Sequence, residues 1–399
     1  MEYIKLKDIC DLKNGYAFKS SDYVEKSDVL NCRMSNIRPN ATFDAEYNPK
    51  YLPNDYAEKY KEYLLYDGDL IIAMTDLAND PKILGVPTIV YTNGYKMLLN
   101  QRVGKLLLLN ERPIKKKYLK YALSVPQNRG YFKKFAGGGV QINIGKAEIL
   151  NIDIPYCDIE TQNKIVEILD KAQSLIDKKK EQIELLDELI KSRFIDMFGD
   201  PVINNKNWET VELRYCIQEI KYGTSTPPNF SEQGIPFIRA TNIKEGRIVE
   251  NDMKYISEEE AKKIEKCKLS LGDTIIVRSG ANTGDNTFVP EKYVDCYGGY
   301  DIIVKLNEKI NYRFLNVLLN SVYREVVIQP LTRRAGQPHL NSEQIQSLMV
   351  YLPPIELQNE FAEFVTQTDS IRSKMEASLS ELEDNFNSLM QKAFKGELF

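Results

Sequence analysis

The sequence predicts a mixed α+β chain: two tandem globular domains of similar fold, separated by two long helices that pair as an antiparallel coiled coil, in a pseudo-twofold internal repeat. Three observations carry this. Short matches recur in one order: Arg33-Met-Ser-Asn36-Ile37 as Arg239-Ala-Thr-Asn242-Ile243, and Gly68-Asp69-Leu-Ile71-Ile72 as Gly272-Asp273-Thr-Ile275-Ile276. Gln141 and Ile144 return as Gln337 and Leu340, and Ile159-Glu160-Thr-Gln162-Asn163 as Ile355-Glu356-Leu-Gln358-Asn359. Chance can produce any one of these, but several in register mark a duplication. Each copy then ends in a heptad pattern, and 399 residues are too many for one hydrophobic core.

The elements follow in order. Residues 1–155 form the first domain, 156–200 the central helix, 201–352 the second domain and 353–399 the distal helix. In each domain a Gly-Asp turn opens a β-like run, Asp69 to Met74 and Asp273 to Arg278, and a helical patch follows, around Lys117 to Leu123 and Tyr312 to Leu319. No βαβ alternation is long enough for a nucleotide-binding sheet. In the central helix Ile165, Leu169, Ile176, Leu186 and Ile190 fall on alternating four- and three-residue spacing, broken at Lys179. In the distal helix Phe361, Val365, Met375, Leu382 and Phe386 do the same, broken at Arg372. That 3.5-residue period is a coiled-coil signature, and these ten residues are the expected pairing seam. Asp158 suits an N-cap, Pro354 a first turn, and Gly199-Asp200-Pro201 a stop. Roughly 40 residues at about 1.5 Å each make a rod of about 60 Å. Pairing within the chain is favoured over dimerisation, because the intervening domain can return the chain.

Composition excludes several chemistries. Six scattered cysteines contain no C-x-x-C pair, so neither a disulfide framework nor a zinc ribbon is indicated. One histidine, His339, excludes a His–His metal site and argues against a catalytic triad. The nearest approach to a Walker A loop, Gly139 to Ala147, has five residues where four are needed and ends in alanine. No catalytic, cofactor-binding or metal site is expected. The amino terminus lacks a signal-peptide stretch and no run of about 18 apolar residues could span a bilayer, so no membrane association and a cytoplasmic location are expected.

The formal net charge of −4 argues against a nucleic-acid binder until it is resolved along the chain. Lys+Arg against Asp+Glu is 23 to 17 for residues 1–150, 7 to 12 for 151–200, 19 to 19 for 201–350 and 4 to 9 for 351–399. The acidic excess lies in the helical segments; the first domain is basic and the second neutral.

What remains is recognition by loops on a rigid scaffold. The candidates in the first copy are Lys19, Arg33, Asn36, Arg38, Thr75, Lys133, Lys134, Gln141 and Asn143. In the second they are Thr224, Arg239, Asn242, Arg278, Ser279, Asn282, Arg333, Arg334, Gln337 and His339. Arginine grips guanine O6/N7 bidentately, Asn and Gln grip adenine, and Lys and Gly-loop amides meet phosphate. Arg33 and Arg239 have a competing structural role as ion-pair partners in a strand. Arg333-Arg334, adjacent guanidiniums in a Gly-flanked turn, have little packing rationale.

These residues closely resemble the DNA-specificity subunit of type I restriction-modification systems, over essentially the whole chain. The resemblance rests on the tandem variable domains, the Gly/Gln segments Gly137 to Ile144 and Gly336 to Leu340, and the helix openings Ile159-Glu-Thr-Gln162 and Ile355-Glu-Leu-Gln358. It rests also on the Met197-Phe198-Gly199-Asp200-Pro201 exit and the terminal Ala393-Phe394-Lys395-Gly396-Glu397-Leu398. It implies two target-recognition domains that each read one half of an asymmetric bipartite site in double-stranded DNA. It also implies two modification (methyltransferase) subunits docked on the helices and further restriction/translocase subunits. S-adenosylmethionine, ATP and Mg would then belong to those partners, with no cofactor bound by this chain. The competing readings are a coiled-coil protein adaptor without DNA readout and a stand-alone methyltransferase or nuclease.

Overall fold

The computed structural model describes residues 1–135, 141–332 and 338–398. They form two compact units: Met1–Lys178 with Ser378–Phe399, and Lys179–Ala377. Each long helix is divided between the units near its middle. The reason is packing. Ile165 and Leu169 of the central helix and Met390, Ala393 and Phe394 of the distal helix lie in the core of the first unit. Ile190, Phe194, Phe198, Phe361 and Val365 lie in that of the second. The heptad stripe therefore also closes each globular core.

The first unit holds a four-stranded antiparallel sheet in the order Cys10–Asn14, Val103–Leu108, Leu70–Ala73, Pro87–Ile89. A second sheet runs Tyr51–Leu52, Val29–Cys32, Lys96–Leu99, Leu64–Leu65, with Val29–Cys32 parallel to Lys96–Leu99. Two ribbons complete it, Glu2–Lys5 with Asp153–Tyr156 and Thr75–Leu77 with Gln141–Asn143. The second unit repeats the plan. Its antiparallel sheet runs Ile217–Tyr222, Ile302–Leu306, Thr274–Ile276, Asn286–Phe288. Its mixed sheet again has one parallel pair, Ile235–Ile238 with Tyr297–Gly298, and Thr210–Glu212 pairs Met349–Tyr351.

The repeated sequence matches occupy repeated structural positions. Gly68 and Gly272 both turn the chain at positive φ, +81° and +80°. The next carboxylates hold the turns, Asp69 accepting from the Tyr66 N–H at 2.9 Å and Asp273 from the Ser270 N–H at 2.8 Å. The strands that follow are buried along their whole length, so they read as continuous apolar runs instead of alternating ones.

The central helix spans Ile159–Phe198 and the distal helix Ile355–Lys395. Gln162 and Gln358, fully buried, fix their first turns identically. Gln162 accepts from the Lys115 N–H at 2.9 Å and donates to the Pro113 and Cys157 carbonyls. Gln358 accepts from the Asn311 N–H at 2.9 Å and donates to the Lys309 and Pro353 carbonyls. Asp158 caps the central helix through the Thr161 N–H, which holds its carboxyl below the usual range. The helix surface is tied to its own domain by Lys117–Asp170 in the first unit and Arg313–Asp369 in the second.

Within the second unit the two helices run antiparallel, Asp187 meeting Arg372 at 2.7 Å and Arg193 meeting Glu360 at 3.2 Å. Of the expected seam, Ile165, Leu169, Ile176, Ile190, Phe361 and Val365 are buried. Leu186, Met375, Leu382 and Phe386 are half-buried. Arg372, which breaks the heptads, is nonetheless buried, because Asp187 and the Ile183 carbonyl receive its guanidinium.

Candidate nucleic-acid interface

The recurring Arg-x-x-Asn-Ile segment is a tight turn after a strand. Asn36 accepts from the Arg33 N–H at 2.8 Å and donates to the carbonyls of Asp44 and Ala45. Asn242 accepts from the Arg239 N–H at 3.2 Å and donates to those of Val249 and Asn251. Both are buried, at 3% and 0% exposure. Their amides are saturated by backbone, so Asn36 and Asn242 leave the set of expected DNA contacts. Their arginines are also engaged: Arg33 donates to the Asn48 carbonyl, and Arg239 pairs with Asp252 at 3.0 Å. Thr75 is a further correction, being buried with its hydroxyl donating to Asn143 at 2.6 Å.

The other first-unit candidates face solvent. Lys19, Lys133, Lys134, Gln141 and Asn143 are exposed. The Arg38 guanidinium lies 3.7 Å from the centroid of the Tyr47 ring. Sequence reasoning placed Tyr16 and Phe18 in a candidate loop, Lys13 to Lys19, but missed the tyrosines they pack against. Tyr16 packs on Tyr60 at 4.5 Å and Phe18 on Tyr60 at 5.3 Å, with Tyr56 and Tyr63 adjoining and Lys13 and Lys59 over the rings. The signal available was the spacing Tyr56, Tyr60, Tyr63, one helical face of rings beside lysines.

In the second unit Thr224, Ser279 and His339 are half-exposed and Asn282 is exposed. Ser279 forms an antiparallel bridge with His339, where the first unit has the Thr75–Leu77 ribbon against Gln141–Asn143. The Arg278 guanidinium sits 4.5 Å from the Tyr222 ring centroid and 4.3 Å from that of Tyr300. Gly223 makes this possible: a Cβ there would stand 1.5 Å from the Gly299 carbonyl oxygen, and that close approach brings Tyr222 and Tyr300 to the same arginine. Asp301 accepts from the Arg278 N–H at 3.3 Å, and burial pushes its carboxyl up to about 6. A groove of about 430 Å³ adjoins, walled by Thr224, Phe230, Phe237, Ser279 and Tyr300. Arg333, Arg334 and Gln337, like the Gly137 to Gly139 loop, lie outside the described residues.

Among the described residues no His/Cys/Asp/Glu group could hold a metal ion, and no helix is long and apolar enough to cross a membrane. Tyrosine-flanked and solvent-facing cations on both units suit binding to a polyanion with directional base contacts.

Comparison with known proteins accords with this chemistry. The type I restriction modification DNA specificity domain matches residues 1–186 and again 205–384. The chain is 22% identical to the type I restriction enzyme EcoBI specificity subunit of Escherichia coli, over 99% of this chain and 85% of that protein. It is 21% identical to the EcoKI specificity subunit of Escherichia coli strain K12, over 90% and 86% respectively. Its fold resembles the crystal structure of the type I restriction-modification S subunit from M. genitalium, with a TM-score of 0.56 and 15% identity over 98% of this chain and 96% of that one. With both repeats matched, the chain belongs to the type I restriction-modification DNA specificity family.

Proposed function

We propose that this chain supplies the DNA specificity of a type I restriction-modification complex, each recognition domain reading one half of an asymmetric bipartite site. The observation that carries the reading is that one fold occurs twice, with different side chains at corresponding positions. Leu340 N–H donates to the Arg278 carbonyl at 2.8 Å as Ile144 N–H donates to that of Met74 at 2.9 Å. At that position one domain has a guanidinium and the other a buried thioether. Two such readers require two different half-sites. In the first, Lys19, Arg38, Lys133, Lys134, Gln141 and Asn143 are the contacts we assign; in the second, Thr224, Arg278, Ser279 and Asn282, together with Arg333, Arg334 and Gln337.

The partners in this reading are two modification subunits, which bring S-adenosylmethionine, and restriction/translocase subunits that use ATP and Mg in the cytoplasm. Leu185 and Leu189, exposed one turn apart on the central helix, are an apolar landing for a modification subunit. The test is to reconstitute the chain with its methyltransferase and map modified adenines on genomic DNA. An asymmetric bipartite motif is expected. Modification without a motif, or a palindromic one, would overturn the reading.

A further inference from the structure

In the second unit seven described arginines, Arg193, Arg214, Arg239, Arg247, Arg313, Arg324 and Arg372, each meet a carboxylate. Among the described residues of that unit Arg278 is the arginine whose guanidinium does not. It is also held by more than charge. Two tyrosine rings flank its guanidinium, and His339 fixes one edge. His339 Nδ1 lies 2.9 Å from the Arg278 carbonyl oxygen, which can only accept, so Nδ1 carries the proton. Nε2 is then an acceptor, 3.2 Å from Arg278 Nη2. Tyr222 is anchored in turn, its hydroxyl accepting from the Ser342 N–H at 2.9 Å.

This arrangement uses one of the four terminal guanidinium hydrogens and leaves Nη1 and the second Nη2 hydrogen free. A fixed, planar fork with two free N–H groups matches the O6/N7 pair on the major-groove edge of guanine. A phosphate contact would need no such fixing, since a flexible lysine serves as well. Nor is the site a strong attractor of phosphate. The buried Asp301 carboxylate accepts from the Arg278 backbone, and residues 201–350 carry no net charge. The position is therefore built for direction more than for attraction.

We propose that Arg278 reads a guanine in the half-site bound by the second domain, with Tyr222, Tyr300 and His339 as positioning residues that hold its fork. This rests on the DNA-specificity reading above. It further implies that the first domain, with Met74 at the corresponding position, does not use this contact.

The test uses the complete complex with its modification subunits. Motifs are mapped for wild type, Arg278→Ala, Arg278→Lys and His339→Ala, with co-purification and thermal melting verifying assembly. In Arg278→Ala one guanine position of the motif becomes degenerate, discrimination there falling about 10- to 100-fold, and the other positions stand. Arg278→Lys recovers only part of it, and His339→Ala relaxes the same position more weakly. Should Arg278→Ala not assemble, the wild-type complex is titrated with site oligonucleotides carrying 7-deazaguanine at each guanine in turn, removing N7 without touching the protein. One position in one half-site is expected to weaken. Relaxation at a position other than G·C, uniform weakening with an unchanged motif, or insensitivity of every guanine to loss of N7 overturns the proposal. A wild-type complex with no motif at all overturns the DNA-specificity reading itself.

Discussion

A carboxylate that is 3% exposed and pushed up to about 6 by burial costs stability whenever it is charged. That is Asp301. Its folded pKa lies above its ordinary 3.8, so the folded chain binds the extra proton between about 3.8 and about 6. Stability from this group therefore falls as pH rises through that window, and the penalty is complete at neutral pH. Asp301→Asn keeps the oxygen that accepts from Arg278 and removes the charge. It should raise unfolding free energy at pH 7 by on the order of 2 kcal/mol, with little change at pH 4. Urea titrations at both values check this, and a variant less stable at pH 7 would sink it. At this scale the sequence was only half legible. Asn36 and Asn242 stood out as repeats, but a buried asparagine saturated by carbonyls and an exposed one that reads adenine are the same letter. What separates them is a turn that folds the amide inward, visible only with its partners seven to eleven residues on. Arg278 was legible as a candidate, whereas its tyrosine flank came from positions about 56 residues before it and 22 after it.

The helices show which part of an element its sequence period determines. A 3.5-residue stripe correctly indicates two long helices with a shared apolar face. It does not say what else touches that face, and here the ends of the stripe are completed by each domain's own core. The apparent defect at Arg372 is a junction: Asp187 pairs with Arg372 at 2.7 Å and with Arg247 of the recognition domain at 2.6 Å. The partners are unequal. Arg372 is 8% exposed in its side chain and Asp187 36%. Asp187→Asn removes the counter-charge of a buried guanidinium, whereas Arg372→Met leaves Asp187 still paired with Arg247. The first should cost about 3 kcal/mol and the second about 1 kcal/mol. The double variant should cost less than the two together, since the amide introduced on the central helix would then face no buried charge. Chemical denaturation of the four proteins forms the cycle, and additivity would refute a coupled junction.

For the whole chain, a net charge of −4 is an average over unlike parts. Residues 1–150 carry 23 basic against 17 acidic groups, residues 201–350 carry 19 of each, and the helical segments hold the acidic excess. Counterion release scales with the phosphates a surface neutralises, so the two domains should hold DNA by different balances of force. The first has exposed Lys19, Lys133 and Lys134, whose ammonium groups meet no carboxylate among the described residues. Under the proposed reading the second relies on stacked and hydrogen-bonded groups around Arg278. A lysine on a phosphate adds affinity for every sequence equally; a fixed arginine on a base edge adds discrimination. Replacing Lys133 and Lys134 together by alanine in the assembled complex should therefore make the log–log dependence of binding on salt shallower by about 2, and leave the methylated motif intact. The slope comes from affinities measured across a salt series, and the motif from adenine mapping of the same preparation. Neighbouring subunits contribute equally to wild type and variant, so the difference belongs to these two side chains. An unchanged slope would remove both lysines from the phosphate contacts, and an altered motif would move them to the bases.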